Sequence, residues 1–440
     1  MMNSKILIYV FFLIYGKYLP IFSQEKLTLT EAIEIALKNN YGIALARNQL
    51  SISEINNSAA NAGMIPRIDA TAARNYQVNN TYQEYFDGRI RDSDNAKSNS
   101  LNAGIQLNWT IFDGFYMFVR KNQLSELQKL DETQLRNQIE NTLAEVIINY
   151  HNIVIQLLLS EVYQEAMTIS AERRRFAAAR FDVGSGSELS YLQASVDLNA
   201  DSAAWISQVR ALENSKAALN RILSRNLAED FSTENEINVK NDLLYDDLLQ
   251  RAVEVNPELQ AARINICIAM LNIKESESVM YPRLNFSTGY NFNRSTSEVG
   301  LLQINRNYGY FAGINLSLSI FDGYNTRRDV KIAKIRQESA QTAANQSEID
   351  ITEQIMKVYN DYSTNLRLIN LENKNLSLAN ENFRIAEEKF KLGSLTDIEL
   401  RETQNKMMDA EARYYLAQFR GKVAETELLL LSGWISGSME

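Results

Sequence analysis

The chain has 440 residues, which by length alone allows two or three ordinary domains. Charged residues at 22% and hydrophobic ones at 45% are a globular balance, while 4 prolines and 17 glycines favour long helices over many-turned β structure. A net charge of −9 without a strong basic cluster argues against a nucleic-acid partner, and 1 cysteine excludes an internal disulfide.

The first 24 residues read as a secretory signal peptide. Lys5 supplies the positive region, Ile6 to Tyr15 the apolar one, and cleavage falls near Ser23-Gln24. An uncleaved signal anchor is the alternative. No cysteine follows that offers a lipid-attachment point. Thr28-Leu29-Thr30-Glu31 then forms a capping box, and Ala32, Ile33, Ile35, Ala36 and Leu37 carry a helical pattern to about Gly63. After Pro66-Arg67 the period becomes 2. Ile68, Ala70, Ala72 and Tyr76 alternate weakly, with Arg74 among them; the polar stretch from Asn79 to Ser100 reads as an exposed loop. Ile105, Leu107, Trp109 and Ile111 alternate with Gln106, Asn108 and Thr110.

Past Phe112-Asp113-Gly114 the period is helical again. Ile139, Leu143, Val146, Tyr150, Ile153 and Leu157 follow spacings of four and three, a coiled-coil seam. One helix from Gly114 to Gly184 would span on the order of 100 Å. Within it, Arg173-Arg174-Arg175 reads as a solvated face and His151 as a packed or surface histidine. Gly184 suits a left-handed helix end, and Ser187 caps a returning helix.

The chain is then written a second time. A helical pattern from Tyr245 to about Val279 includes Cys267, read as a core residue. Pro282-Arg283 leads to Leu284, Phe286, Tyr290 and Phe292; a polar loop spans Asn293 to Asn307; Ile314, Leu316, Leu318 and Ile320 alternate after it. Phe321-Asp322-Gly323 opens another helix with Thr352, Ile355, Tyr359, Tyr362, Leu366 and Ile369 on its seam. Gly393 ends it, Thr396-Asp397-Ile398-Glu399 caps the return, and Met408, Ala412, Tyr415, Phe419 and Val423 share a stripe. Phe112-Asp113-Gly114 and Gly184 recur at an offset of 209 residues, while Ala36-Leu37-Lys38-Asn39-Asn40 answers Ala252 to Asn256 at 216. A repeat this long is a duplicated supersecondary unit rather than a solenoid. The expected organisation is a signal peptide at 1–24; a first repeat at 25–225 with a β-hairpin about 67–112 and a helical hairpin 115–225; a linker at 226–242; a second repeat at 243–433 with a β-hairpin about 283–321 and a helical hairpin 324–433; and a tail at 434–440.

No segment after the signal carries the roughly 18 to 20 apolar residues of a membrane helix, so a membrane role requires strands. Each strand run is about ten residues, enough to cross a bilayer on a tilt. Apolar residues opposite Asn, Ser, Thr and Gln suit lipid outside and water inside, with Ile105, Leu107, Trp109, Ile314, Leu316 and Leu318 facing lipid. A half-buried strand of a soluble sheet alternates equally well. Four strands in lipid leave two bare edges and fall short of the smallest closed barrels, of about eight.

The duplication, the Ala-Leu-x-x-Asn opening, the Pro-Arg and Phe-Asp-Gly junctions and the Gly-Ser tips together resemble the TolC-like outer-membrane efflux family. The resemblance covers essentially the whole mature chain. It implies a mainly α fold with a β-barrel part, internally duplicated, with two long coiled-coil hairpins and four membrane strands per protomer. Three protomers would close into a trimeric α/β-barrel duct in the outer membrane of a Gram-negative bacterium, helices in the periplasm. The implied function is a passive exit duct of a tripartite efflux or type I secretion system. Its partners would be a second and third copy, outer-membrane lipid, a periplasmic adaptor and an inner-membrane pump.

By the same resemblance, Val183, Gly184, Ser185, Ser187 and Leu192 with Leu392, Gly393, Ser394, Thr396 and Leu400 form adaptor-docking tips. Arg401 stands where an apolar residue is usual. Glu399 and Glu402 match an acidic ring at the periplasmic aperture, and at i and i+3 they share a helix face. Capping by Glu399 and solvation of Glu402 are the plainer alternative. The first repeat has Ser190 and Gln193 at the equivalent positions.

An enzyme is disfavoured, because no nucleophile–histidine pair, metal-ligand spacing or phosphate loop is present, and neither cofactor nor metal is expected. A soluble periplasmic coiled-coil adaptor or scaffold is the alternative function. It would share the hairpins but would not need the strands.

Overall fold

The computed structural model describes residues 25–435. The signal-peptide expectation, at 1–24, lies outside the described residues, as does most of the 434–440 tail. The helices are α1 (Leu29–Asn39), α2 (Tyr41–Asn56), α3 (Tyr116–Asp182), α4 (Glu188–Ile222), α5 (Tyr245–Val255), α6 (Pro257–Ser278), α7 (Asn325–Lys391) and α8 (Asp397–Leu431). The strands are β1 (Glu25–Lys26), β2 (Arg67–Glu84), β3 (Ile90–Asp113), β4 (Phe231–Ser232), β5 (Arg283–Ser297) and β6 (Ile304–Ser317). They divide into two compact units. One holds the described residues to Ala44, Gln138–Asn256 and those from Ile351 onward; the other holds Leu45–Asn137 and Pro257–Asp350.

In the first unit, Leu143, Val146, Tyr150 and Ile153 of the α3 seam are buried, as are Ile355 and Tyr362 of α7. The Tyr150 hydroxyl donates to Leu27 O at 3.0 Å and accepts the Glu234 N–H at 3.2 Å, while Tyr362 donates to Lys240 O. These bonds fasten the 226–242 segment, which holds a short strand: β4 pairs in parallel with β1. One stretch of α3 is apolar enough to span a membrane by composition, contrary to the sequence expectation, but 67% of it is buried, so it is a core seam. On α8 the expected stripe through Met408, Tyr415 and Phe419 is only half buried. The buried line runs beside it, through Leu400, Gln404, Met407, Ala410, Ala417, Gly421, Ala424 and Leu428, where small side chains permit close helix approach.

Where the sequence suggests one opening helix per repeat, the structure has two. Asn40 leaves the helix at ψ 125°, its Oδ1 accepts the N–H groups of Gly42 and Ile43 at 2.8 and 3.2 Å, and its Nδ2 donates to Ile222 O at 2.9 Å. Asn256 makes the matching bond to Leu431 O at 2.9 Å. One asparagine thus ends a helix, starts or holds the next, and ties down the last carbonyls of the returning hairpin helix.

Buried His151 also belongs to this unit, with its Nδ1 2.8 Å from Ile147 O. Burial pulls its pKa down from 6.5 to about 4. The unfolded chain therefore binds the proton first, and stability is lost as pH falls from 6.5 towards 4. The loss approaches about 3 kcal/mol. Thermal unfolding between pH 7 and 4.5 should show this slope, and His151→Gln should flatten it; an equal slope in the variant would remove His151 as its source.

In the second unit, the sheet order is β2-β3-β5-β6, all antiparallel. Paired residues share a face. The rows Ile68–Leu107–Thr288–Ala312 and Ala70–Ile105–Tyr290–Tyr310 therefore lie on one side, with Trp109, Phe286 and Ile314. Ile105, Trp109, Ile314 and Leu316 are exposed on this side and Leu107 is half buried. Leu318 is exposed just beyond the last residue of β6, outside the strand. The indole of Trp109 donates to Met64 O at 3.0 Å.

The two expected loops are largely strand. Asn79 to Ser100 contains the Glu84↔Ile90 end of the β2–β3 ladder, which shifts register between Asn79 and Thr81, and β5 and β6 extend to Ser297 and from Ile304. Alternation failed as a guide there because both faces are polar. The turn is marked by Gly88 at φ +79°, and Arg91 donates to Glu298 O and Gly300 O at 2.6 and 3.2 Å, joining the two hairpin ends. At the other end Asp113 Oδ1 accepts the Met117 N–H at 3.1 Å and Asp322 Oδ2 that of Thr326 at 2.7 Å. Each Phe-Asp-Gly is thus a strand-to-helix cap. Cys267, expected in the core, is only partly buried.

Candidate functional site at the hairpin tips

Both long hairpins turn by the same chemistry. Gly184 and Gly393 take φ +73° and +76°, and the following N–H groups, Ser185 and Ser394, bond back to Arg180 O and Lys389 O, each at 2.9 Å. Ser187 Oγ accepts the Ser190 N–H at 3.1 Å, capping α4. Thr396 and Glu399 form the full reciprocal box on α8: Glu399 Oε2 accepts the Thr396 N–H at 2.9 Å, and Thr396 Oγ1 accepts the Glu399 N–H at 3.3 Å.

These turns project apolar side chains. Val183, Leu192 and Leu392 are exposed, and so are Leu189 at 64% and Ile398 at 66%. The last two occupy equivalent positions in the repeats, at the 209 offset, and sequence reasoning passed over them. Leu400 is a correction. It is 2% exposed and packs with Phe383, Phe390 and Met407, so it supports the tip from within and is not part of its surface. Arg401, not Leu400, is the register counterpart of Leu192, which explains the exchange.

Glu399 and Glu402 are both exposed. The hydroxyl and backbone N–H of Thr396 hold the Glu399 carboxyl below its usual range, and Glu402 Oε1 lies 2.6 Å from Lys406 Nζ. Glu399 is therefore a fixed, ionised group, whereas the charge of Glu402 is partly offset.

Just behind the turns is a charged cluster. Arg173, expected on a solvated face, is 3% exposed. Its Nε and Nη2 donate to Asp397 Oδ1 and Oδ2 at 3.1 and 2.7 Å, and its Nη1 to Asp197 Oδ2 at 3.2 Å. Arg401 answers from the other hairpin, with Nη1 and Nη2 donating to Asp201 Oδ2 and Oδ1 at 2.7 and 2.8 Å. Burial opposes the Arg401 charge, but hydrogen bonding to Asp201 prevails and its pKa is raised. Ser170 Oγ donates to Asp201 Oδ2 at 2.6 Å, and buried Gln404 donates to Ala166 O at 3.1 Å. Phe176 meets Phe390 edge-on at 6.4 Å beside the cluster. Each guanidinium thus grips an aspartate of the opposite hairpin in bidentate fashion, the strongest side-chain arrangement for fixing two helices in register.

These side chains can hold two hairpins together and present a surface; nothing in them activates a bond. Among the described residues no His, Cys, Asp and Glu group could hold a metal ion.

A four-stranded sheet with an exposed apolar face, duplicated with its helical hairpins, defines a protomer of the TolC-like outer-membrane channels. The chain matches the family described as Outer membrane efflux protein over residues 32–225 and 248–433, and it belongs to that family. It is 21% identical over 418 residues to the outer membrane efflux protein BepC of Brucella suis biovar 1 (strain 1330), covering 92% of this chain and 85% of that protein. Its fold is similar to the Campylobacter jejuni CmeC outer membrane channel, with TM-score 0.78, 17% identity and coverage of 93% and 88%. It is also similar to the open state of the Neisseria gonorrhoeae MtrE outer membrane channel, with TM-score 0.72, 16% identity and coverage of 92% and 88%. The protein is an efflux channel of the outer membrane with its helical part in the periplasm. Its family consists of channels rather than enzymes.

Proposed function

We propose that three copies of this chain close into a passive duct, shut at the hairpin tips and opened there by a periplasmic adaptor coupled to an inner-membrane pump. The cross-hairpin arginine cluster carries this reading, because it is a discrete latch directly behind an exposed apolar tip. In the sheet, β2 and β6 each have one edge without a strand partner among the described residues. Bare strand edges cannot persist in lipid, which favours closure between copies. The tip residues Val183, Gly184, Ser185, Ser187, Leu189, Leu192, Leu392, Gly393, Ser394, Thr396 and Ile398 offer the adaptor an apolar surface with fixed turns. A partner that binds the open arrangement better than the closed one shifts the equilibrium without supplying chemistry. The repeats at 25–225 and 243–433 would act as two such hinged arms. The apolar face, with exposed Ile105, Trp109, Ile314 and Leu316 and half-buried Leu107, would meet lipid, as would Leu318 just past β6; membership of an outer-membrane family leaves the soluble scaffold alternative without support.

Glu399 and Glu402 would then repeat around the aperture and favour cations. In planar bilayers, Glu399→Gln with Glu402→Gln should reduce cation preference, with Glu399→Gln giving most of the change. Unchanged selectivity in the double variant would remove the ring. The same preparation tests the duct itself: a trimeric mass with small, gated conductance supports it, and a monomer soluble without detergent overturns it.

A further inference from the structure

Above the apolar band the sheet face changes abruptly. The row Ala72–Ala103–Phe292–Tyr308 is followed by Arg74–Leu101–Arg294–Arg306, and then by Tyr76–Asn99–Thr296–Ile304. Three of the four residues in the middle row are arginines, all exposed and all on the side that carries Ile105, Tyr290 and Ile314. Arg294 and Arg306 are direct cross-strand partners. Like charges so placed repel each other. Among the described residues none of the three has an ion-pair partner; Arg74 Nε donates only to Asn99 Oδ1 at 3.2 Å. Glu298, just past the end of β5, uses its Oε2 to accept the Lys97 N–H at 2.9 Å.

The row is concave on the side away from Arg306. Arg74, Asn99, Leu101, Arg294 and Thr296 line a cleft of about 290 Å³. In the next row below it the small residues Ala72 and Ala103 stand beside Phe292, and one row further Ala70 and Ile105 stand beside Tyr290, which meets Tyr310 at 4.9 Å. An aromatic belt marks the level of lipid headgroups. This end of the strands lies away from Asp113 and the start of α3, so in a channel whose helices are periplasmic it faces the outer leaflet.

We infer that Arg74, Arg294 and Arg306 form a binding site for the phosphorylated headgroup of an outer-leaflet glycolipid, with an acyl chain along the apolar face beside Ala72, Ala103 and Phe292. Guanidinium groups bind phosphate in bidentate fashion, and an anion here relieves the Arg294–Arg306 repulsion. The site rests on the lipid-facing assignment of the sheet but is independent of tip gating.

The test uses the full-length, delipidated protein in detergent, titrated with bisphosphorylated lipid A and followed by native mass spectrometry. The Arg74→Gln, Arg294→Gln, Arg306→Gln variant should bind about tenfold more weakly or worse. Dephosphorylated lipid A should bind both proteins alike, at the weaker level. Inorganic phosphate at millimolar concentration should leave the lipid in place; displacement would make this a free-anion site and overturn the lipid assignment. Equal lipid A affinity in wild type and triple variant would overturn the proposal. Should the triple variant misfold, Arg306→Gln alone, on the sheet edge, should show a smaller loss, and no loss would count equally against it. The assembled mass and detergent requirement in the same spectra report on the duct separately, so the two readings fail independently.

Discussion

Replacing Arg173 and Arg401 together by Met should turn a nearly closed pore into a conducting one, with single-channel conductance rising about tenfold or more. The effect comes from breaking the cluster, not from its net worth. A buried ion pair often contributes little against an apolar substitute, but removing one partner strands the other, at about 3–5 kcal/mol. Here two guanidinium groups face three carboxylates, Asp197, Asp201 and Asp397. Without the arginines those carboxylates repel across the two hairpins, and separating the tips lets water reach them. The penalty thus falls on the closed arrangement and hardly on an open one, which about 1.4 kcal/mol per tenfold converts into a large population shift. Arg173→Lys should open the pore only partly, since a point charge replaces the fork on Asp397 but cannot hold both oxygens. Conductance in planar bilayers decides it. A double variant with wild-type conductance would move the latch elsewhere.

How legible this site was in the sequence depends on chain distance. The turns could be read because their bonds are local: Gly184, Ser187, Gly393 and the Thr396–Glu399 box each act within a few residues. The cluster could not, because Arg173 and Asp397 are 224 residues apart, and Arg401 and Asp201 are 200 apart. Arginine on a helix is ordinarily solvated, so Arg173 offered no sign of burial. The one usable sign was Arg401 in the place of an apolar residue, with Asp197 and Asp201 at i and i+4 on the helix that receives it. Asn40 and Asn256 stood out by repetition, but their tie to Ile222 O and Leu431 O spans most of a repeat and waits on the fold. The polar parts of β2 and β3 stayed hidden because a strand with water on both faces has no apolar period.

The duplication itself yields a second large effect, from two glycines with the same motif. Gly114 and Gly323 both take left-handed φ, +73° and +69°. A Cβ on Gly114 would lie 2.2 Å from Ser278 O and 2.8 Å from Tyr281 Cβ, where backbone cannot yield, whereas on Gly323 it would meet only Asn325 Nδ2 at 3.8 Å. The difference follows from strand order. β3 is paired with β5, so the segment preceding β5 packs over Gly114; β6 is an edge, and among the described residues only the Asn325 side chain comes near Gly323. In a closed ring β6 would meet β2 of the next copy, and the segment preceding that β2 would take the place that Ser278 takes here. Gly114→Ala should therefore prevent the protomer from folding, adding about 1–2 kcal/mol of backbone strain and several more for the clash. Gly323→Ala should fold with only the strain cost yet fail to assemble. Mass and circular dichroism separate these outcomes: no folded protein in the first case, a helical monomer in the second. A Gly323→Ala trimer of undiminished thermal stability would mean that the ring, if it forms, does not close in this order.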